Sequence, residues 1–244
     1  MKKMILAVLI NLCFLVTCSY ADYDLQQYFP MGQQDSWVYS LTERVASQEA
    51  VKEGTTITIE FVVSGEETES MSGPARMLIK YSDGEQNEYA IGKDSEGLKV
   101  TKSKEEGDQD SVFDPPLLLL PTKINEGETV VYLGVVTYSD SNGEKKKEKI
   151  KREFSLDGVE DVETKAGTFK ECSRLSVKEV LDDEKGEMKT NLYTIWLSTE
   201  VGKVKEVIKT SLSRLTDGEF KEFSSEETTV ELEKATVNGK SFGL

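Results

Sequence analysis

Thr56-Ile57-Thr58-Ile59-Glu60-Phe61-Val62-Val63 places Ile57, Ile59, Phe61 and Val63 on one face of an extended chain and Thr56, Thr58 and Glu60 on the other. A period of two with one apolar face marks a half-buried antiparallel strand. Working outward, the same spacing groups Met77, Ile79 and Tyr81, then Tyr89 with Ile91, Leu98 with Val100, Ile150 with Phe154 and Leu156, and Tyr193 with Ile195 and Leu197. From Val130 to Val136 both faces are apolar apart from Gly134, which predicts a central strand covered on both sides. Asp83-Gly84, Asn142-Gly143 and Asp217-Gly218 tolerate positive φ and favour tight hairpins, and Lys185-Gly186 marks a further reversal. Strands joined by short turns, with no helical periodicity between them, form a meander. The expected fold is all-β with a minor helix at most: roughly ten to twelve antiparallel strands in a curved sheet, half-barrel or sandwich, since so wide a sheet does not stay flat.

The front of the chain reads differently. Lys2 and Lys3 precede an apolar run from Met4 to Val16, and Ser19-Tyr20-Ala21 stands just before Asp22. This is the layout of a secretory signal, too short to span a bilayer permanently, and it predicts export to the periplasm or beyond. Two processing routes are open. Cleavage after Ala21 fits the small residues there; acylation of Cys18, behind Leu15-Val16-Thr17, would instead tether the protein to the cell envelope. The first is favoured because Thr17 is bulkier than the residue that normally precedes an acylated cysteine. With residues 1–21 as signal, 22–244 form a single β domain, and no transmembrane helix is expected in it.

The whole chain carries a formal charge of −15, and loss of Lys2 and Lys3 with the signal takes it to −17. Such a surface repels phosphate backbones and anionic headgroups, which argues against nucleic acid or bare membrane as partners. The acids crowd most between Ser103 and Pro116, where Glu105, Glu106, Asp108, Asp110 and Asp114 precede Pro115-Pro116. An exposed loop between two halves is expected there. Asp108, Asp110 and Asp114 offer oxygens at close spacing but lack the glycine and terminal glutamate of a calcium loop, so no metal is expected. Leu117 to Leu120, closed by Pro121, reads as a core plug, with a docking surface as the alternative.

Histidine is absent, which excludes histidine-based triads and zinc sites. Cys13 and Cys18 fall in the signal, leaving Cys172 without a disulfide partner and without a histidine to activate it; a buried small hydrophobe is the expected role. Gly-x-Ser-x-Gly, the phosphate-cradling loop and the dinucleotide fingerprint are all missing. No catalytic or cofactor-binding residue is assigned. Trp37, Trp196, Tyr39, Tyr132, Tyr138 and Tyr193 fall where large rings fill the inside of a curved sheet. Lys145-Lys146-Lys147, among Glu144 and Glu148, reads as a guard on a strand edge.

Tyr28-Phe29-Pro30 through Trp37-Val38-Tyr39, Ala166-Gly167-Thr168-Phe169 through Cys172, and Tyr193-Thr194-Ile195-Trp196-Leu197 with Val201-Gly202-Lys203-Val204 together resemble segments of a group of bacterial exported proteins of unknown function, many of them lipoproteins. Tyr28-Phe29-Pro30 through Trp37-Val38-Tyr39 is similar to that group's YFPLxxGxxWxY opening, departing from it at Gln34. Ala166-Gly167-Thr168-Phe169 through Cys172 is similar to its PAGTFxxC turn, with Lys165 in place of the proline. Tyr193-Thr194-Ile195-Trp196-Leu197, followed by Val201-Gly202-Lys203-Val204, is similar to its YWLAPGVGLVK segment. The resemblance implies an exported β protein with a concave sheet like that of periplasmic lipoprotein carriers. It implies no activity and no functional residue.

Three functions compete on this reading. A non-enzymatic envelope protein would bind a hydrophobic ligand, a lipid or an envelope component on the concave face, with aromatic rings lining it and Val130 to Val136 as its floor. An interaction module would hold a partner protein by its acidic surface. A hydrolase working with carboxylates alone would need two acids facing each other in a pocket, one with a raised pKa.

Overall fold

The computed structural model describes residues 23–24, 28, 35–45, 51–63, 72–81, 84–104, 110–139 and 143–243. The signal region with Cys18, and Asp108, lie outside these residues. Among them the chain is nearly all strand: β1 (Tyr23–Asp24), β2 (Ser36–Val45), β3 (Val51–Val63), β4 (Ser72–Tyr81), β5 (Gln86–Lys93), β6 (Gly97–Lys104), β7 (Ser111–Pro121), β8 (Lys123–Ile124), β9 (Thr129–Ser139), β10 (Lys145–Thr164), β11 (Gly167–Asp182), β12 (Glu187–Ser198), β13 (Gly202–Thr216), β14 (Glu219–Val237) and β15 (Lys240–Phe242). No α-helix occurs among the described residues.

Each long strand pairs antiparallel with the next, in the order β2-β3-β4-β5-β6-β7-β9-β10-β11-β12-β13-β14, and β14 also pairs with β2. Short β15 folds back on β14, and β1 pairs separately with β8. The ladder therefore curls round a shared interior, as the alternating pattern predicts. It is not sealed into a full barrel, because β7 and β9 share only the three residue pairs Val112↔Thr137, Phe113↔Val136 and Asp114↔Val135. Below them the sheet is split by a seam.

Side-chain donors replace part of the missing ladder at that seam. The Tyr132 hydroxyl donates to the Pro115 carbonyl at 2.6 Å, and Nη1 of Arg152 donates to the Leu118 carbonyl at 2.9 Å. The expected loop at 103–116 is shorter than its composition suggests. Ser103 and Lys104 close β6, and Ser111 to Pro116 already belong to β7. Pro115 and Pro116 are tolerated in a strand because neither has a ladder partner on either side.

At the end away from the long hairpin tips Trp37, Phe169, Cys172, Val201, Val204, Leu232, Ala235 and Val237 are buried, and the Phe169 and Phe242 rings lie 6.3 Å apart. The segments that carry the family resemblance meet here. The Trp37 indole donates to the Val201 carbonyl at 2.7 Å, the Tyr39 hydroxyl to the Lys203 carbonyl at 2.9 Å, and the Ser173 hydroxyl to that of Tyr28 at 3.1 Å. These residues anchor the fold. Cys172 is fully buried, as expected for a small hydrophobe; burial, with Asp161 and Glu160 nearby, pushes its thiol up to about 11, far from a reactive thiolate.

The leucine run is interior: Leu117, Leu118 and Leu120 are buried, and Leu119 packs against the core. A bulge between Leu98 and Lys99 leaves Leu119 as the extra residue, which is how an unbroken apolar run satisfies a strand of period two. Strand β9 corrects its expectation. Tyr132 and Val136 face inward, but Val131 and Leu133 are 52% and 64% exposed, because a single-layer sheet offers no cover outside the seam. Lys145 to Glu148 pair with β9 alone, since the β11 register starts at Lys149, so the lysines do sit on a free edge.

Turn chemistry matches the sequence at Asp217-Gly218, where φ is 56° and 84°, the double positive of a type I′ hairpin. A second such pair, Asn238-Gly239 between β14 and β15, escaped the sequence reading. Gly97 has a different task. At φ 155° a Cβ would overlap the Leu120 carbonyl oxygen and stand 2.8 Å from the Leu118 side chain. Gly97→Ala is expected to lower stability by about 2–3 kcal/mol, read as a lower urea midpoint, whereas Gly84→Ala, where a Cβ meets open space, is expected to cost less.

Candidate functional site

The register of the sheet sets one row of polar residues across the interior. Tyr132 of β9 stands opposite Arg152 of β10, Arg152 opposite Glu179 of β11, Glu179 opposite Asn191 of β12, and Asn191 opposite Thr210 of β13. Each occupies an inward phase: Arg152 lies between Ile150 and Phe154, Glu179 between Val177 and Leu181, and Asn191 two residues before Tyr193.

The row is fully bonded. Arg152 makes an ion pair with Glu179 through Nε and Nη2. Asn191 Nδ2 donates to Glu179 Oε1 at 2.8 Å, the Tyr193 hydroxyl donates to the same oxygen at 3.0 Å, and the Thr210 hydroxyl donates to Asn191 Oδ1 at 2.9 Å. Burial alone would raise the Glu179 carboxyl, but the Arg152 charge and the hydrogen bonds from Asn191, Arg152 and Tyr193 outweigh it and hold its pKa below the ordinary glutamate range.

Next to this row the interior opens into a cavity of about 260 Å³. Its walls are apolar: Trp37, Tyr39, Met77, Ile79, Leu98, Leu119, Leu120, Val177, Tyr193, Ile195 and Leu197. Three charged side chains line it as well, namely Arg152, Lys203 and Glu206. Lys203 pairs with Glu206 at 2.6 Å and lies 5.4 Å from the centroid of the Tyr39 ring. Burial pushes the Tyr39 phenol up, with help from the Glu206 charge; it does the same to Tyr193, aided by Glu179, and takes Tyr132 to about 12.

The aromatic residues read as interior divide. Trp37, Tyr39 and Tyr193 line the cavity, and Tyr132 is buried at the seam. Trp196 does not line it: Ile195 and Leu197 take the inward phase, and the Trp196 indole donates at 2.5 Å to Glu160. Tyr138 is half-buried nearer the hairpin tips, its hydroxyl on Glu148. Phe220 and Phe223 are exposed on the β13–β14 hairpin. Arg152, Glu179, Lys203 and Glu206 were not singled out in the sequence. The available signal was a charged residue in phase with apolar neighbours.

Among the described residues no group of three or more His, Cys, Asp or Glu side chains is placed to hold a metal ion, and no helix is long and apolar enough to cross a membrane.

No family model matches the chain, and no curated protein matches it. Two solved structures align along most of its length. A candidate lipoprotein of Parabacteroides distasonis ATCC 8503 shares 15% identity over 84% of this chain and 97% of its own, with a TM-score of 0.44. The hypothetical lipoprotein YmcC of Escherichia coli K12 shares 12% identity over 85% of this chain and 88% of its own, with a TM-score of 0.37. Likenesses this loose say nothing of what the cavity holds.

Removing one partner of the interior ion pair strands the other. Glu179→Ala is expected to cost about 3–5 kcal/mol in urea unfolding, while the double change Arg152→Met with Glu179→Met recovers most of that loss. The tyrosines make a separate prediction. Their raised folded pKa values mean that the stability they contribute is intact below about pH 10, the unfolded tyrosine value, and is lost as pH rises beyond it. The urea midpoint is expected to hold up to that pH and fall above it, with phenolate absorbance of Tyr39, Tyr132 and Tyr193 appearing together with unfolding.

Proposed function

We propose that this is a non-enzymatic exported protein of the cell envelope that carries or senses an apolar ligand inside its curved sheet. The observation that supports it is the cavity. An apolar void of 150 Å³ is enough to admit benzene, and this one, at about 260 Å³, is lined by aliphatic and aromatic side chains from strands on all sides. A filled interior would have spoken against ligand binding. The export signal read from the sequence of residues 1–21 supports the envelope location, with cleavage after Ala21 or tethering through Cys18 as the two modes.

The competing readings have less support. A carboxylate hydrolase needs an acid whose pKa is held up, yet Glu179 is held down by Arg152, and Glu206 is paired with Lys203. An acidic interaction module accounts for the net charge but gives the cavity no role.

The test is saturable uptake of N-phenyl-1-naphthylamine, a neutral apolar fluorophore, by the mature protein. One probe per chain is expected, with quenching of Trp37. Ile195→Trp, which fills the cavity, is expected to weaken binding at least tenfold while leaving the unfolding free energy from urea titration within about 2 kcal/mol of the parent. No saturable uptake, or equal uptake by Ile195→Trp, would overturn the proposal.

A further inference from the structure

The charges around the cavity say what kind of head the ligand carries. We propose that the cavity selects an amphiphile whose polar end is uncharged and accepts hydrogen bonds, such as a fatty alcohol or an ester, over a fatty acid or an alkylamine. This rests on the reading of the cavity as a ligand site.

Two cations and two anions stand at or directly behind the wall, and each is already matched: Arg152 with Glu179, and Lys203 with Glu206. The site is therefore neutral. A carboxylate head entering it finds no uncompensated cation and meets two glutamates; an ammonium head finds no uncompensated anion and meets Arg152 and Lys203. Either would bury a net charge, and an unpaired charge in an apolar interior is costly.

An uncharged acceptor meets no such barrier. A guanidinium has five N–H donors and no acceptor. Among the described residues Nε of Arg152 donates to Glu179 and Nη1 to the Leu118 carbonyl, and Nη2 stands in ion-pair range of the same Glu179 oxygen, which accounts for at most three of the five. Two N–H groups remain on a side chain that lines the cavity. They can satisfy the two lone pairs of a hydroxyl or carbonyl oxygen without disturbing the ion pair. Glu179 holds the fork in place through a carboxylate itself fixed by Asn191 and Tyr193. Arg152 is thus assigned as the head-group ligand, with Glu179 as its positioning residue.

The experiment compares four ten-carbon chains, 1-decanol, methyl decanoate, decanoate and decylammonium, as displacers of N-phenyl-1-naphthylamine at pH 7 below their micelle concentrations. Decanol and methyl decanoate are expected to displace the probe at concentrations at least tenfold lower than the two ions. Glu206→Gln leaves Lys203 without its counter-charge and makes the site net positive; it is expected to improve decanoate about tenfold, with a far smaller change for decanol. The paired change Arg152→Met with Glu179→Met keeps the site neutral, and is expected to weaken decanol and methyl decanoate severalfold more than it weakens the fluorophore. Decanoate or decylammonium binding as tightly as decanol in the parent protein would overturn the head-group assignment while leaving the ligand-binding function intact. Displacement by none of the four chains would likewise overturn the head-group assignment, whereas failure of the fluorophore itself to bind would overturn the reading of the cavity as a ligand site.

Discussion

A ladder that fixes register fixes, at the same stroke, which side chains share the interior. Along each strand the faces alternate strictly, and the cross-strand partners of one inward residue are inward too. The line from Tyr132 through Arg152, Glu179 and Asn191 to Thr210 exists only because β9, β10, β11, β12 and β13 are in this register. A slip of one residue on β11 alone would turn Glu179 to water and leave Arg152 opposite Lys178 or Val180, without its counter-charge. The buried pair thus opposes mispairing, which is the kind of role polar groups can play in an otherwise greasy interior.

The same row links the seam to the cavity. Arg152 reaches from β10 to the Leu118 carbonyl of β7, past the gap that β9 leaves, while its other nitrogens hold Glu179. Tyr132 makes the parallel contact to Pro115. Stretches of strand beyond the three-pair ladder of β7 and β9 are thereby joined through side chains where backbone pairing gives out.

Much of this was legible beforehand. Alternation of apolar and polar residues located the strands, and dipeptides such as Asp217-Gly218 located reversals, because both signals are local and the backbone obeys them locally. Ser111 to Pro116 misled because acids and prolines were weighed by composition, when their fate depended on whether a neighbour needed their N–H groups. Val131 and Leu133 misled because hydrophobicity predicts burial only where something exists to cover it. Arg152 and Glu179 went unremarked among 75 charged residues; each stands in phase with an apolar series, but their meeting depends on a pairing 27 residues apart that no local pattern announces.

The three-pair junction between β7 and β9 makes the sheet uneven in stiffness. Prising apart β10 and β11 means breaking a ladder that runs from Lys149 to Thr164; parting β7 from β9 means losing the pairs from Val112 to Asp114 and the two side-chain bonds beneath them. Fewer bonds hold the wall along that line than along β10 and β11. Among the described residues this junction is the shortest ladder between long strands, the weak stitch of a cuff.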